Sequence, residues 1–199
     1  MEYLLPISYL GPVAYYSAIL QSEEIFIETK EHFIKQSFRN RCTIMGANGT
    51  QTLTIPKERK SSDKTLISDI SISNQDNWQK SHWQSIVSSY NSSPFFEYYK
   101  DELLPFYNTK HNNLFYFNLK ITKIILGFLQ VKKELNFTSN FQKEFNGSDF
   151  RSSEFILENQ EEYQQVFSDK HSFTPNLSIL DVLFNLGPET TSYLERQSI

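Results

Sequence analysis

An α/β fold with a largely helical C-terminal half is predicted by three features of this chain. Residues 4–27 read as strand, helix, strand, which is the pattern of a parallel βαβ unit. Asn48-Gly49 sits between two runs of strand-forming residues and signals a β-hairpin over 42–55. From Asn77 onward, apolar residues recur at spacings of three and four, the period of a helix. At 199 residues the chain can bury one substantial core, so one domain over 1–199 is expected.

Each element has its own signal. Residues 4–10 are short and apolar and make a first strand, broken by Gly11-Pro12. Pro12 suits a helix start, and Tyr15, Tyr16, Ile19 and Leu20 space a helix to Gln21. Ile25-Phe26-Ile27 is the second strand. A type I′ turn at Asn48-Gly49 would pair Ala47 with Thr50, Ile44 with Leu53 and Cys42 with Ile55, giving one apolar face. Pro56 should end that strand. A polar loop is expected at 61–64 and a loosely alternating strand at 66–72. Asn77 can cap a helix carrying Trp83, Ile86, Val87 and Tyr90. Further helices are expected over 95–106 and 113–126, the latter capped by Gly127. Strand is favoured at 128–131 and again at 135–137, whereas 141–162 reads as a long acidic loop with short helical pieces. A last helix spans 177–186 and stops at Gly187-Pro188.

Composition narrows the function. The 17 Phe, 11 Tyr and 2 Trp supply large apolar area, which argues against whole-chain disorder. A net charge of −4, without a basic stripe, argues against nucleic-acid binding. No apolar run reaches the ~20 residues of a membrane span, and no basic segment precedes the first apolar stretch, so a cytoplasmic location is expected. The one cysteine, Cys42, forms no intrachain disulfide and falls on the apolar hairpin face, where a small core residue is expected rather than a nucleophile. Metal-ligand spacings, phosphate-cradling glycine loops and the serine elbow are absent, and the sequence names no cofactor.

Among polar residues, His32, Lys35, Arg39, Asn40 and Arg41 form the densest constellation. His32 and Lys35 are three apart and would share one side of a helical turn. Histidine titrates near neutrality and suits a general base. Arg39 or Arg41 would grip a phosphate or carboxylate with two parallel donors, and Asn40 would orient a carbonyl. Equally, these residues could form a solvated loop paired to Glu28, Glu31 and Glu58. The βαβ unit places strand ends at Tyr9, Gly11, Pro12, Glu28 and Thr29, a short step from Glu31, His32 and Lys35. Asp181 and Asn185, four apart on the last helix, could reach the same cleft or cap a neighbour. His82 between Trp78 and Trp83 could stack a ring but fits a core better.

The run Phe38-Arg39-Asn40-Arg41, the strand end Leu53-Thr54-Ile55-Pro56, and Trp78…His82-Trp83…Ile86…Tyr90…Pro94-Phe95-Phe96 resemble the WbqC-like family of bacterial proteins. Phe173-Thr174-Pro175-Asn176-Leu177, continuing to Gly187, resembles that family's closing motif. The resemblance implies a link with O-antigen and other surface-polysaccharide gene clusters. The activity it suggests is a transferase acting on an activated sugar or amino sugar. The expected ligand is a nucleotide-sugar or another anionic small molecule. His32 and Asp181 are then the candidates for catalysis, and Lys35, Arg39, Asn40, Arg41 and Asn185 those for substrate binding. Two departures favour the alternative of a non-catalytic binding or scaffolding protein. The family's Gln-Pro is not reproduced at Leu5-Pro6-Ile7-Ser8-Tyr9, and the chain is shortened between Phe150 and Tyr163.

Overall fold

The computed structural model describes residues 1–59, 64–152, 155–157 and 159–199. The loop expected at 61–64 lies mostly outside them. Strand β1 (Glu2–Pro6), helix α1 (Val13–Gln21) and strand β2 (Glu24–Glu28) form the anticipated parallel unit, with Leu4 beside Phe26 and Pro6 beside Glu28. The chain leaves β1 at Pro6, earlier than expected, and Leu10 beyond it takes a left-handed φ of 45°. Helix α1 buries every residue from Val13 to Ile19, so it is enclosed rather than half-wet.

The hairpin forms from β3 (Arg41–Gly46) and β4 (Gly49–Thr54), but its turn is centred on Ala47-Asn48. Gly49 alone there has positive φ, at 108°, so only one residue pays the left-handed conformation instead of two. Cys42 therefore faces Leu53, and Ile44 faces Gln51. A shift of two residues leaves every side chain on its predicted face. Cys42, Ile44, Leu53 and Ile55 are all buried.

The strand expected at 66–72 is instead a single 3-10 turn, Ile67–Asp69, flanked by bridges from Leu66 to His32 and from Ile72 to Lys57. Helices α2 (Trp78–Tyr90) and α3 (Phe96–Asn108) follow the predicted periodicity, although the Asn77 side chain does not cap α2. Helix α4 (Leu114–Phe128) is capped by Asn113, whose Oδ1 accepts from the Tyr116 N–H at 3.0 Å. Gly127 lies inside α4, and the strand expected at 128–131 is its last turn and exit. Strands β5 (Leu135–Phe137) and β6 (Ser148–Asp149) then join the sheet. Helix α5 (Ile179–Leu186), a 3-10 turn and helix α6 (Thr190–Glu195) close the fold, α6 being unforeseen.

The four-stranded sheet has the order β5-β2-β1-β6, with all its pairs parallel. Strands are added on one side of β1 and then on the other, so the order reverses between β1 and β6. That reversal opens a crevice at the carboxyl ends of the strands. Gly147 permits β6 to lie there, because a Cβ on it would strike the Glu2 carbonyl. The core is strongly aromatic: Tyr9, Tyr15, Tyr16, Tyr90, Phe96, Phe117 and Phe184 are fully buried.

Candidate functional site

A cavity of about 390 Å³ opens at the carboxyl edge of the sheet, lined by Lys30, Glu31, His32 and Ile34 after β2 and by Phe141, Asp149, Arg151 and Ser152 around β6. Its walls are apolar: Ile34 and Phe141 are each about half exposed, at 47% and 50%. Its floor is an ion-pair network. Arg39 grips Glu31 with two parallel bonds, Nε to Oε1 at 2.7 Å and a terminal nitrogen to Oε2 at 2.5 Å. That same nitrogen donates to the Arg151 carbonyl at 3.1 Å. Arg151 in turn reaches Asp149 at 2.6 Å and Glu28 at 3.0 Å, and its guanidinium lies 4.9 Å from the Phe141 ring centre.

Glu28 is the hub. Its carboxylate accepts from the Lys30 N–H at 2.8 Å, the Thr138 hydroxyl at 2.6 Å, the Gln142 N–H at 3.1 Å and Arg151. It thereby ties the ends of β2, β5 and β6 together. Burial pushes the Glu31 carboxyl up, and the pull of Arg39 offsets this only in part. At Asp149 burial also pushes up, but the hydrogen bonds and charge of Arg151 together outweigh it and hold the carboxyl below its usual value.

The sequence constellation divides on this frame. His32 reaches the cavity and is exposed, but from an extended segment bridged to Leu66 rather than from a helical turn. Lys35 lies on an exposed turn away from the cavity lining. Arg39, only 3% exposed, spends its fork on Glu31 and so shapes the floor. Asn40 is bound to the start of the hairpin exit: its Nδ2 donates to the Ile55 carbonyl, while the Ile55 N–H donates to the Asn40 carbonyl, both at 2.9 Å. Arg41 opens β3 with its Nε buried and without a partner.

Asp181 and Asn185 are elsewhere. Asp181 is fully buried and accepts from the Tyr163 hydroxyl at 2.6 Å and Gln165 Nε2 at 3.0 Å; burial holds its carboxyl above the usual range despite those bonds. Asn185 Nδ2 donates back to the Asp181 carbonyl at 2.7 Å. The Tyr90 hydroxyl lies by both Asp181 and the Met45 backbone, four residues along β3 from Arg41. Neither Asp181 nor Asn185 is among the residues that line the cavity His32 reaches.

Sequence reasoning missed Asp149, Arg151 and Phe141, because a two-residue strand carries no periodicity to reveal it. The buried His82 belongs to the core. Its Nδ1 lies 2.9 Å from the Tyr9 hydroxyl, which lies 3.0 Å from that of Tyr107. Burial lowers its pKa to about 4, and the Thr54 carbonyl offsets this only slightly. The neutral ring can then donate to Thr54 and accept from Tyr9. Among the described residues, no group of three or more His, Cys, Asp and Glu is placed to hold a metal ion, and no helix is long and apolar enough to cross a membrane.

Comparison with known proteins places this arrangement in a family. The Mycobacterium tuberculosis protein named uncharacterized protein Rv1507c is 24% identical over 221 aligned residues, covering 94% of each chain. No solved structure matches the chain. The model of the WbqC-like protein family matches residues 8–154 and 142–193, taking in the hairpin, the cavity and α5. The chain belongs to the WbqC-like protein family.

Proposed function

We propose that the cavity at the carboxyl edge of the sheet binds a nucleotide-sugar, and that the protein transfers its sugar in surface-polysaccharide synthesis. The observation that carries this reading is the coincidence of the topological switch with an open cavity of matching chemistry. Ile34 and Phe141 offer two apolar surfaces to the faces of a ring. Lys30 lines the side toward β2, where a diphosphate would find a cationic partner. Of the candidates named from sequence, His32 is the one suited to accept the proton of an acceptor hydroxyl as that oxygen attacks the sugar carbon and the nucleotide leaves. Arg39 is a positioning residue, holding Glu31 and the 149–152 turn.

One observation favours a second, non-catalytic reading. Glu31 and Asp149, the carboxylates lining the cavity, are both engaged by arginine. Calorimetric titration with UDP-N-acetylglucosamine, followed by assay for release of UDP, separates the two readings. Binding that weakens in Phe141→Ala, with UDP release that fails in His32→Ala, is the expected result. Binding without turnover supports the second reading. No binding of UDP- or dTDP-sugars ends the nucleotide-sugar reading.

A further inference from the structure

Two further cavities, of about 690 and 360 Å³, lie on either side of Asn74, Gln75 and Asp76, which line both. The larger runs past Pro56–Arg59 and Ser71–Ser73 to Asn112; the smaller runs past Asn77 and Gln79 to 107–110. The two adjoin along that segment as a groove, and the recurring group of their linings is the carboxamide, contributed by Asn74, Gln75, Asn77, Gln79, Asn108 and Asn112.

The groove is braced from behind. Asn74 Nδ2 donates to the His111 carbonyl at 2.9 Å, and Gln79 Nε2 donates to Asn74 Oδ1 at 3.2 Å and to the Thr109 carbonyl at 3.3 Å. The Ile72 and Ser73 N–H groups donate to the Asn112 and Pro56 carbonyls, both at 2.9 Å. Asn77 occupies the start of α2 without spending its side chain on the helix. Gln75 and Asn112 are exposed on this frame. Such bracing lowers the ordering cost of binding.

We propose that this groove binds a neutral saccharide. A carboxamide presents one acceptor oxygen and two donor hydrogens, and each sugar hydroxyl both donates and accepts, so the two satisfy each other. An apolar ligand would strip water from the amides without replacing those bonds. A polyanion gains little, because Glu58 and Asp76 offset two of the three cations Lys57, Arg59 and Lys110. The proposal stands on these cavities and does not rest on the nucleotide-sugar reading. If both hold, the groove takes the acceptor.

The test is an NMR titration of the nitrogen-15-labelled chain with rhamnose, galactose, N-acetylglucosamine and maltose, each added separately, and with inorganic phosphate and UDP. Saccharides should move the side-chain amide signals of Gln75, Asn77 and Asn112. The exposed double variant Gln75→Ala/Asn112→Ala should weaken that response about tenfold, while Phe141→Ala leaves it unchanged. Loss of UDP-sugar binding with the saccharide response intact would fell the donor site alone. The proposal is overturned if no saccharide moves these signals, if the shifts gather around His32 and Phe141, or if phosphate alone produces them.

Discussion

Replacing Arg39 with Met removes the cation that Glu31 was buried against. The two side chains are about 4% and 6% exposed, and the Arg39 fork meets the Glu31 carboxylate at 2.7 and 2.5 Å. Stranding one charge in such a site costs about 3–5 kcal/mol, most of it the unpaid desolvation of the remaining partner. Part of that is relieved because the Glu31 carboxyl, already raised by burial, can take up a proton. Arg39→Met should therefore cost about 3 kcal/mol by urea unfolding near neutral pH. It should cost less in mild acid, where a protonated Glu31 carries no charge. Replacing both partners, Arg39→Met with Glu31→Leu, should recover most of the loss, because the pair barely outruns its own desolvation. The double variant should still bind UDP-sugars poorly, since the bond from Arg39 to the Arg151 carbonyl is gone as well. A single variant costing under about 1 kcal/mol, within the range of a surface pair, would refute the buried-pair argument. A double variant as unstable as the single one would refute the desolvation argument.

Two further outcomes follow from the same kind of reasoning. Gly49→Val should destabilise by about 1–3 kcal/mol through backbone strain alone, because φ is 108° and a Cβ there would meet nothing within 4 Å; an unchanged urea midpoint would mean the turn readily rearranges. His82, lowered from 6.5 to about 4 by burial, binds its proton more weakly folded than unfolded. Its contribution is full above pH 6.5 and is lost as pH falls toward 4, a decline of about 3 kcal/mol that His82→Gln should abolish in unfolding curves taken across that range.

The features legible along the chain were local: the period of each helix, the βαβ opening, the hairpin and the face each of its side chains takes. These rest on interactions within a few residues, and a two-residue slip of the hairpin turn left its buried face intact. The sequence also placed Glu28, Glu31 and His32 at a strand end, which is where the cavity opens. Which polar residues are spent internally shows in the folded packing alone. In a linear reading Arg39, Asn40 and Asp181 are open to a ligand or to an internal partner, and each is taken up by a partner 8, 15 or 18 residues away, Glu31 in the case of Arg39. The pairing of Arg151 with Glu28 spans 123 positions, and β6 is two residues long. No pattern in the chain encodes such a contact, because it exists only once Gly147 lets β6 close against β1.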